Sequence, residues 1–549
     1  MLSPWVLLPC TLTASACLSI LMETFHDEEL IMRVLKTGLG MVGLVGLTAG
    51  MTWGQTPPAA PTPAPTSTLI QGGTVIDGTG ARGRVEDVRV VGERIEAVGR
   101  LRPMPGERVI DARGLVVAPG FIDAHSHADG GLMEDPNAET MIRQGITTSV
   151  VGQDGGSHFP LKDYFSQLES RHVALNIASF VGHGTMRQQV MGKDYKRAST
   201  PDETAKMQTL VAQEMDAGGL GLSSGLEYDP GFYSTTGELM ALSEVAGRHG
   251  GLYISHVRDE GDKVFDSFRE LIAIGKDGHM PAQISHIKLD TSPVWGKAGD
   301  ALGLMDEAAR RGQDVSADVY PYTFWQSTIT VIIPTRDWTD RAAWTKGLAE
   351  VGGASHILLT SDTADPDWQG KTIAQIADLT HQDAVSVVQA VVAHTHGPEA
   401  KPGAGESVVV TAMTEDDVRK FVASPRIMFC TDGNLHPSHP RGAGSFPRIL
   451  GRYVRQMHAL TLESAIHKMT DLPAKRFGFA RRGEIKPGFQ ADLVLFDPKT
   501  VLDKATTSDP AAAPVGLPDV FVNGALVLDN GAFTGAHPGE ALRRKAAGA

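Results

Sequence analysis

From about residue 118 to about residue 479 the chain alternates short apolar runs with stripes of helical period. After Leu252-Tyr253-Ile254-Ser255, residues Val264, Phe268, Leu271 and Ile272 recur at i, i+4, i+7 and i+8, and Ala282-Gln283-Ile284-Ser285 then begins another run. A second stripe through Leu302, Met305 and Ala309 precedes the run Val315 to Tyr322. The recurrence, near 30 residues in rough terms, suits successive βα units. It predicts an α/β protein whose residues 118–479 form a (β/α)8 TIM-like barrel, with its active site at the carboxyl ends of the strands.

Both ends of the chain read differently. Leu69-Ile70, Thr74-Val75-Ile76, Val88 to Val91, Arg94 to Val98 and Val109-Ile110 are short β-type runs with turn residues between them. Gly483 to Ile485, Ala491 to Phe496 and Val520 to Gly524 repeat the pattern. Neither stretch buries enough surface alone, so residues 68–117 and 480–540 are expected to combine into one small β-sandwich domain. Residues 335–425 are too long for a single crossover and read as an insertion beside the site, a candidate lid.

The N-terminus adds a targeting signal. Met32 precedes Arg33 and Lys36, an apolar stretch from Leu39 to Leu47, and small residues around Thr48-Ala49-Gly50 or Thr52-Trp53-Gly54. Residues 1–55 therefore read as an export segment whose start is Met32, and 56–67 as a Pro-rich linker. The protein is expected to be periplasmic or secreted. A lipoprotein anchored through Cys17 is the rival reading, and no stable membrane span is expected in the mature chain.

A length of 549 residues with 42% apolar side chains supports a large core, and the formal charge of -14 argues against a nucleic-acid partner. Cys10, Cys17 and Cys430 imply no disulfide framework, and Cys430 reads as a small core residue.

The chemistry concentrates at the ends of the apolar runs. His125-Ser126-His127 directly follows Leu115 to Ala124, and residues i and i+2 of a strand share a face, so both imidazoles can grip one ion. His256, His286 and Asp432 each close another run. Further patterns are Gly182-His183-Gly184-Thr185-Met186-Arg187, Gly221 to Tyr228, His256-Val257-Arg258-Asp259-Glu260 and Ile284-Ser285-His286-Ile287-Lys288. Asp318-Val319-Tyr320-Pro321-Tyr322, Thr431-Asp432-Gly433 and His439-Pro440-Arg441 follow.

With these motifs the chain resembles the amidohydrolase superfamily, and within it the D-aminoacylase (N-acyl-D-amino-acid deacylase) branch, from about residue 69 to about residue 540. The resemblance implies a metal-dependent hydrolase of N-acyl-D-amino acids or related D-residue amides and dipeptides. It implies that His125, His127 and Asp432 hold one ion and His256 and His286 a second. Zn2+ suits this donor set, as one or two ions, with other divalent metals as alternatives. The family's strand-end motif carries a ligand cysteine where Val150 to Gly156 here places Asp154. A carboxylate can bridge two cations, so Asp154 reads either as a replacement ligand or as a turn residue in a Gly-rich segment. Glu227 is the other carboxylate within reach.

Asp432 is the expected general base. Arg441 offers a planar fork to a substrate carboxylate or forms a surface ion pair. Tyr228, Lys288, Tyr320, Tyr322 and His183 either line the substrate pocket or serve local packing. His394 and His396 lie in the insertion without supporting ligands and are assigned no metal. The expected partner is a small N-acylated amino acid or dipeptide-like substrate. The alternatives are another amidohydrolase, such as a cyclic amidase, deaminase or dipeptidase, and a catalytically silent, metal-stabilised binding protein.

Overall fold

The computed structural model describes residues 67–544 except 334–336 and 399. The expected export segment lies outside the described residues, as does the linker up to Ser67. Among the described residues no helix is long and apolar enough to cross a membrane.

The two chain ends meet in one nine-stranded sheet. The junction is an antiparallel pair, Val116–Pro119 against Leu493–Phe496. Leu493 to Phe496 are all buried, and their alternation explains how. Leu493 and Leu495 enter a cluster with Ile70, Val88 and Phe521. Val494 and Phe496 point the other way, into the large core that includes Phe121 and Ile146. The terminal strands are thus joined in one hydrogen-bonded sheet with a buried cluster on each face, and its edge strand Arg94–Gly99 returns to the segment before Leu493, where Ile95 N donates to Phe489 O at 2.9 Å.

The central region holds two all-parallel sheets. Phe121–Asp123, Ile146–Val151 and Asn176–Ser179 form one. Val181–Gly182, Gly221–Gly225, Leu252–His256, Ala282–Ile284, Val315–Val319 and Ile427–Phe429 form the other. Backbone hydrogen bonds span both gaps between them: Leu220 N donates to Ser179 O at 2.9 Å, and Ala124 N donates to Phe429 O at 3.2 Å.

Between these strands run helices that include Val264–Asp277 and Ala298–Arg310. In the first, Val264, Phe268 and Leu271 are buried as their spacing predicts, but Ile274 completes the stripe where Ile272 was expected. The second buries Met305 with Ala308, one residue before the expected Ala309. Buried strands and an apolar helix stripe facing them are what the α/β layering requires.

Phe324–Ser327, Ile357–Asp362, Lys371–Thr372 and Glu406–Thr411 build a separate four-stranded antiparallel sheet. It has its own core around Trp325, Ile332, Trp344, Ile376, Val388 and Val410. This module begins before the expected residue 335, since Phe324–Ser327 already belongs to it.

Candidate metal centre

Three of the candidate ligands sit in backbone conformations that non-glycine residues seldom adopt. Asp154, His286 and Asp432 have φ of 53°, 30° and 47°. Such residues lie at a cost and need neighbours that hold them. The amide of His286 donates to Asp318 Oδ1 at 2.7 Å. The amide of Thr431 donates to Asp123 Oδ1 at 2.8 Å, and the amide of Asp432 donates to His125 O at 2.9 Å. Asp154 gains its room from a glycine, because a Cβ on Gly225 would stand 2.2 Å from Asp154 O. Each left-handed turn ends a strand and swings its side chain over the sheet's carboxyl edge.

The result is a tight set of donors. His125 Nε2 is 3.4 Å from Asp154 Oδ2 and 3.6 Å from Asp432 Oδ1. His127 Nε2 is 3.2 Å and 3.3 Å from the same two oxygens, and His286 Nε2 is 3.5 Å from Asp154 Oδ1. Four ligands about 2.1 Å from a tetrahedral ion stand about 3.4 Å from one another, so the spacing matches the edges of a coordination polyhedron. Both ring nitrogens of fully buried His125, and Asp154 Oδ1, have no hydrogen-bond partner. Buried polar atoms are rarely left so. The donor set therefore fits a divalent cation.

A second set lies beside it. His256 Nδ1 is 3.0 Å from His286 Nε2, and Glu260 approaches His256 Nε2 at 3.6 Å and His286 Nδ1 at 3.3 Å. His256 Nε2 also meets Glu227 Oε2 at 3.1 Å. The buried Lys288 Nζ lies 2.8 Å from Glu260 and 2.6 Å from His286 Nδ1.

The charges in this cluster answer one another. Burial opposes ionisation of Asp154, yet His125, His127 and His286 hold its carboxyl well below the usual range. Burial likewise works against a charged His127, but Asp154 and Asp432 raise its pKa well above that of an ordinary histidine. For Asp432, burial pushes up while Arg441, His286 and His127 pull down more strongly, so it stays ionised.

The cluster opens into a cavity of about 440 Å³. Tyr228 lines it, its ring 4.4 Å from that of His256, and Lys288 and Arg441 line it too. Arg441 does not stand free, because Nη1 is 2.6 Å from Asp432 Oδ2 and the guanidinium lies 4.8 Å from the Tyr320 ring centroid. The buried Tyr320 hydroxyl has no hydrogen-bond partner.

Three expected pocket residues lie outside the cavity lining, Tyr320 among them, packed against Arg441. Tyr322 donates to Pro440 O at 3.2 Å and packs under Arg448, outside the cavity lining. His183 is fully buried against Glu238 at 2.8 Å, also outside that lining. Cys430 is buried, and His394 and His396 pair with Asp365 and Glu406 of the insertion.

Sequence reasoning gave no role to Glu260, Asp123 or Asp318. Glu260 had a usable signal, standing four residues after His256 in a motif already singled out. Asp123 and Asp318 are buried acids inside apolar strands, a placement that asks for a buried partner.

Residues 108–528 match the sequence profile of the amidohydrolase family. A D-aminoacylase from Alcaligenes xylosoxydans xylosoxydans is 36% identical over 508 residues, covering 88% of this chain and 99% of that protein. An N-acyl-D-glutamate deacylase from the same organism is 37% identical, covering 87% of this chain and 96% of its own length. The crystal structure of N-acyl-D-glutamate deacylase from Bordetella bronchiseptica, complexed with zinc and a phosphonate inhibitor that mimics the tetrahedral intermediate, superposes with a TM-score of 0.77. It is 35% identical and covers 87% of this chain and 99% of that one.

Proposed function

The chain belongs to the amidohydrolase family, and from that membership we propose that it hydrolyses the amide bond of N-acyl-D-amino acids at a divalent metal centre. The observation that carries the reading is the strand-end cluster of His125, Asp154, His286 and Asp432, whose donor atoms lie within 4.8 Å of one another at the end of the cavity. His125, His127 and Asp432 would hold one ion and His256 and His286 a second, with Asp154, whose oxygens lie 3.2 to 3.5 Å from His125, His127 and His286, as a further ligand. Zinc suits these nitrogen and oxygen donors, and the zinc complex of the Bordetella deacylase supports that choice. The two hydrogen bonds that span the sheet gaps support closure of the parallel strands into a (β/α)8 barrel.

A divalent cation supplies Lewis acidity toward the scissile carbonyl and the attacking water. The chain's own groups do the rest. Asp432, kept ionised by Arg441 and the histidines, takes the proton from water and passes it to the leaving amine. Arg441 turns its remaining N–H groups to the substrate α-carboxylate, with Lys288, Tyr228 and Tyr320 around it. Residues 1–55 act as an export signal beginning at Met32, on the support of Arg33, Lys36 and the apolar stretch that follows. The mass of the mature protein tests that, and a chain that keeps Met1 would contradict it.

The decisive test is hydrolysis of paired N-acyl-D- and N-acyl-L-amino acids alongside metal analysis. Turnover of the D-forms by protein carrying a divalent metal is expected; equal turnover of the L-forms, or none of either, would overturn the reading. Asp154→Ala should lower metal content from about two ions toward one. Unchanged content would leave Asp154 as a turn residue only.

A further inference from the structure

The four histidines of the metal cluster do not present the same nitrogen. His125 and His127 turn Nε2 toward Asp154 and Asp432, and His286 turns Nε2 toward Asp154. His256 is reversed. Its Nδ1 faces the cluster, 3.0 Å from His286 Nε2, and its Nε2 points away to Glu227 Oε2 at 3.1 Å. A neutral ring that is to ligate through Nδ1 must keep its hydrogen on Nε2, and the partner of Nε2 decides whether it does.

Neighbouring groups fix that choice. Lys288 Nζ has hydrogens to donate and no lone pair, and it meets His286 Nδ1 at 2.6 Å, so His286 carries its hydrogen on Nε2, directed at His256 Nδ1. His256 then accepts through Nδ1 and donates through Nε2, and Glu227 is the nearer acceptor, with Glu260 Oε2 farther off at 3.6 Å. The second oxygen of Glu227 accepts from the Glu260 amide at 3.0 Å. Tyr228, the next residue, sets its ring 4.4 Å from that of His256. Adjacent residues thus hold this imidazole at its edge and on its face.

Glu227 itself lies outside the second group of donors, His256, Glu260 and His286. Both partners named for it belong to that group rather than to the set of His125, His127 and Asp432. Its side chain is 34% exposed on the cavity wall, so a substitution there opens no void in the core.

We propose that Glu227 is a positioning residue for the second metal ion: it holds the Nε2 hydrogen of His256, leaves the Nδ1 lone pair turned to the cluster, and so sets the affinity of that site. The proposal rests on the two-ion reading above and gives the carboxylate a part in orienting a ligand rather than in binding the ion. Loss of such an outer partner costs about 10- to 100-fold in metal affinity.

The test titrates metal-depleted parent and variants with Zn2+ against a chelating competitor and reads two binding steps. Glu227→Leu should weaken the second step by about 30-fold and leave the first unchanged, a split that general loosening of the fold does not produce. Glu227→Gln, whose amide oxygen keeps one acceptor for the ring N–H, should weaken the second step by only about fivefold. A second step unchanged in Glu227→Leu, both steps weakened alike, or Glu227→Gln as weak as Glu227→Leu would overturn the role. Hydrolysis of N-acetyl-D-leucine and N-acetyl-D-glutamate is followed on the same samples. The expected zinc pattern without hydrolysis of either strikes the deacylase reading alone, whereas hydrolysis by a parent that binds a single zinc strikes the role of Glu227 alone.

Discussion

His125 and His183 are both fully buried and both face carboxylates, yet their surroundings differ in one respect. Glu238, opposite His183, also receives Arg187 Nη1 at 2.5 Å and 2.7 Å and the Ser199 hydroxyl at 2.7 Å. Arg187 in turn donates to the carbonyls of Tyr195 and Arg197 at 2.9 Å and 2.7 Å. That cluster carries its own permanent cation. The ion pairs of Asp154 are with histidines alone, at 3.2 to 3.5 Å, and His125 makes no hydrogen bond from its ring. In the metal cluster Arg441 and Lys288 hold Asp432 and Glu260, but Asp154 meets no permanent cation, and a buried carboxylate faced by histidines alone is suited to a metal.

The contrast can be broken from either side. Asp432→Asn should keep the fold and most of the bound metal but lower activity about a thousandfold, because the amide keeps the shape and cannot take the proton. Activity within tenfold of the parent, measured on protein of matched metal content, would remove Asp432 as the base. Next in size, Arg187→Met should destabilise the protein by about 4 kcal/mol, since it strands the buried Glu238 charge, while metal content per folded molecule stays the same. A denaturant titration with metal analysis reads both, and loss of metal in this variant would merge the two clusters into one.

Acid should single out the structural cluster. Burial pushes the Glu238 carboxyl up, but His183, Arg187 and Ser199 together hold it at about 2, against an ordinary 4.5. Its folded pKa is thus depressed, so its contribution of about 3 kcal/mol is fully present above the ordinary value and is lost as pH falls from 4.5 toward 2. Stability followed over that window should lose this dependence in Glu238→Gln, and a parallel fall in parent and variant would count against the assignment. The smallest expected effect is for Asp318→Asn, which disturbs the support of the His286 turn and should weaken metal binding about tenfold in a chelator competition. Unchanged affinity would mean that the turn holds itself.

Much of this was legible in the chain. The period of the apolar runs marked the parallel strands, since strands buried on both faces read as continuous apolar runs, and the helical stripes held to within a residue or two. His125, His127, His256, His286 and Asp432 could be picked out because each closes such a run, and the structure brings all five together with Asp154. His183 and Tyr322 stand in equally regular motifs and still lie outside the cavity lining. A motif records that a residue ends a strand or begins a helix, and cannot say whether a neighbour such as Glu238 or Pro440 satisfies it there.

Local order and residue chemistry, then, were determined by the sequence alone: where strands and helices alternate, which donor types sit at strand ends, and that a carboxylate occupies position 154. Tertiary structure decided what those donors face. It joined the terminal strands into one sheet with a buried cluster on each face. It set Arg441 on Asp432, drew Glu260 and Lys288 to His286, and left the ring of His125 without a partner. The terminal sheet and the contact of Glu260 with His286 join segments tens to hundreds of residues apart, whereas Arg441 and Lys288 reach their partners from nearby turns. Near or far, a buried charge is stabilised or stranded by whichever group packing brings within a few ångströms of it.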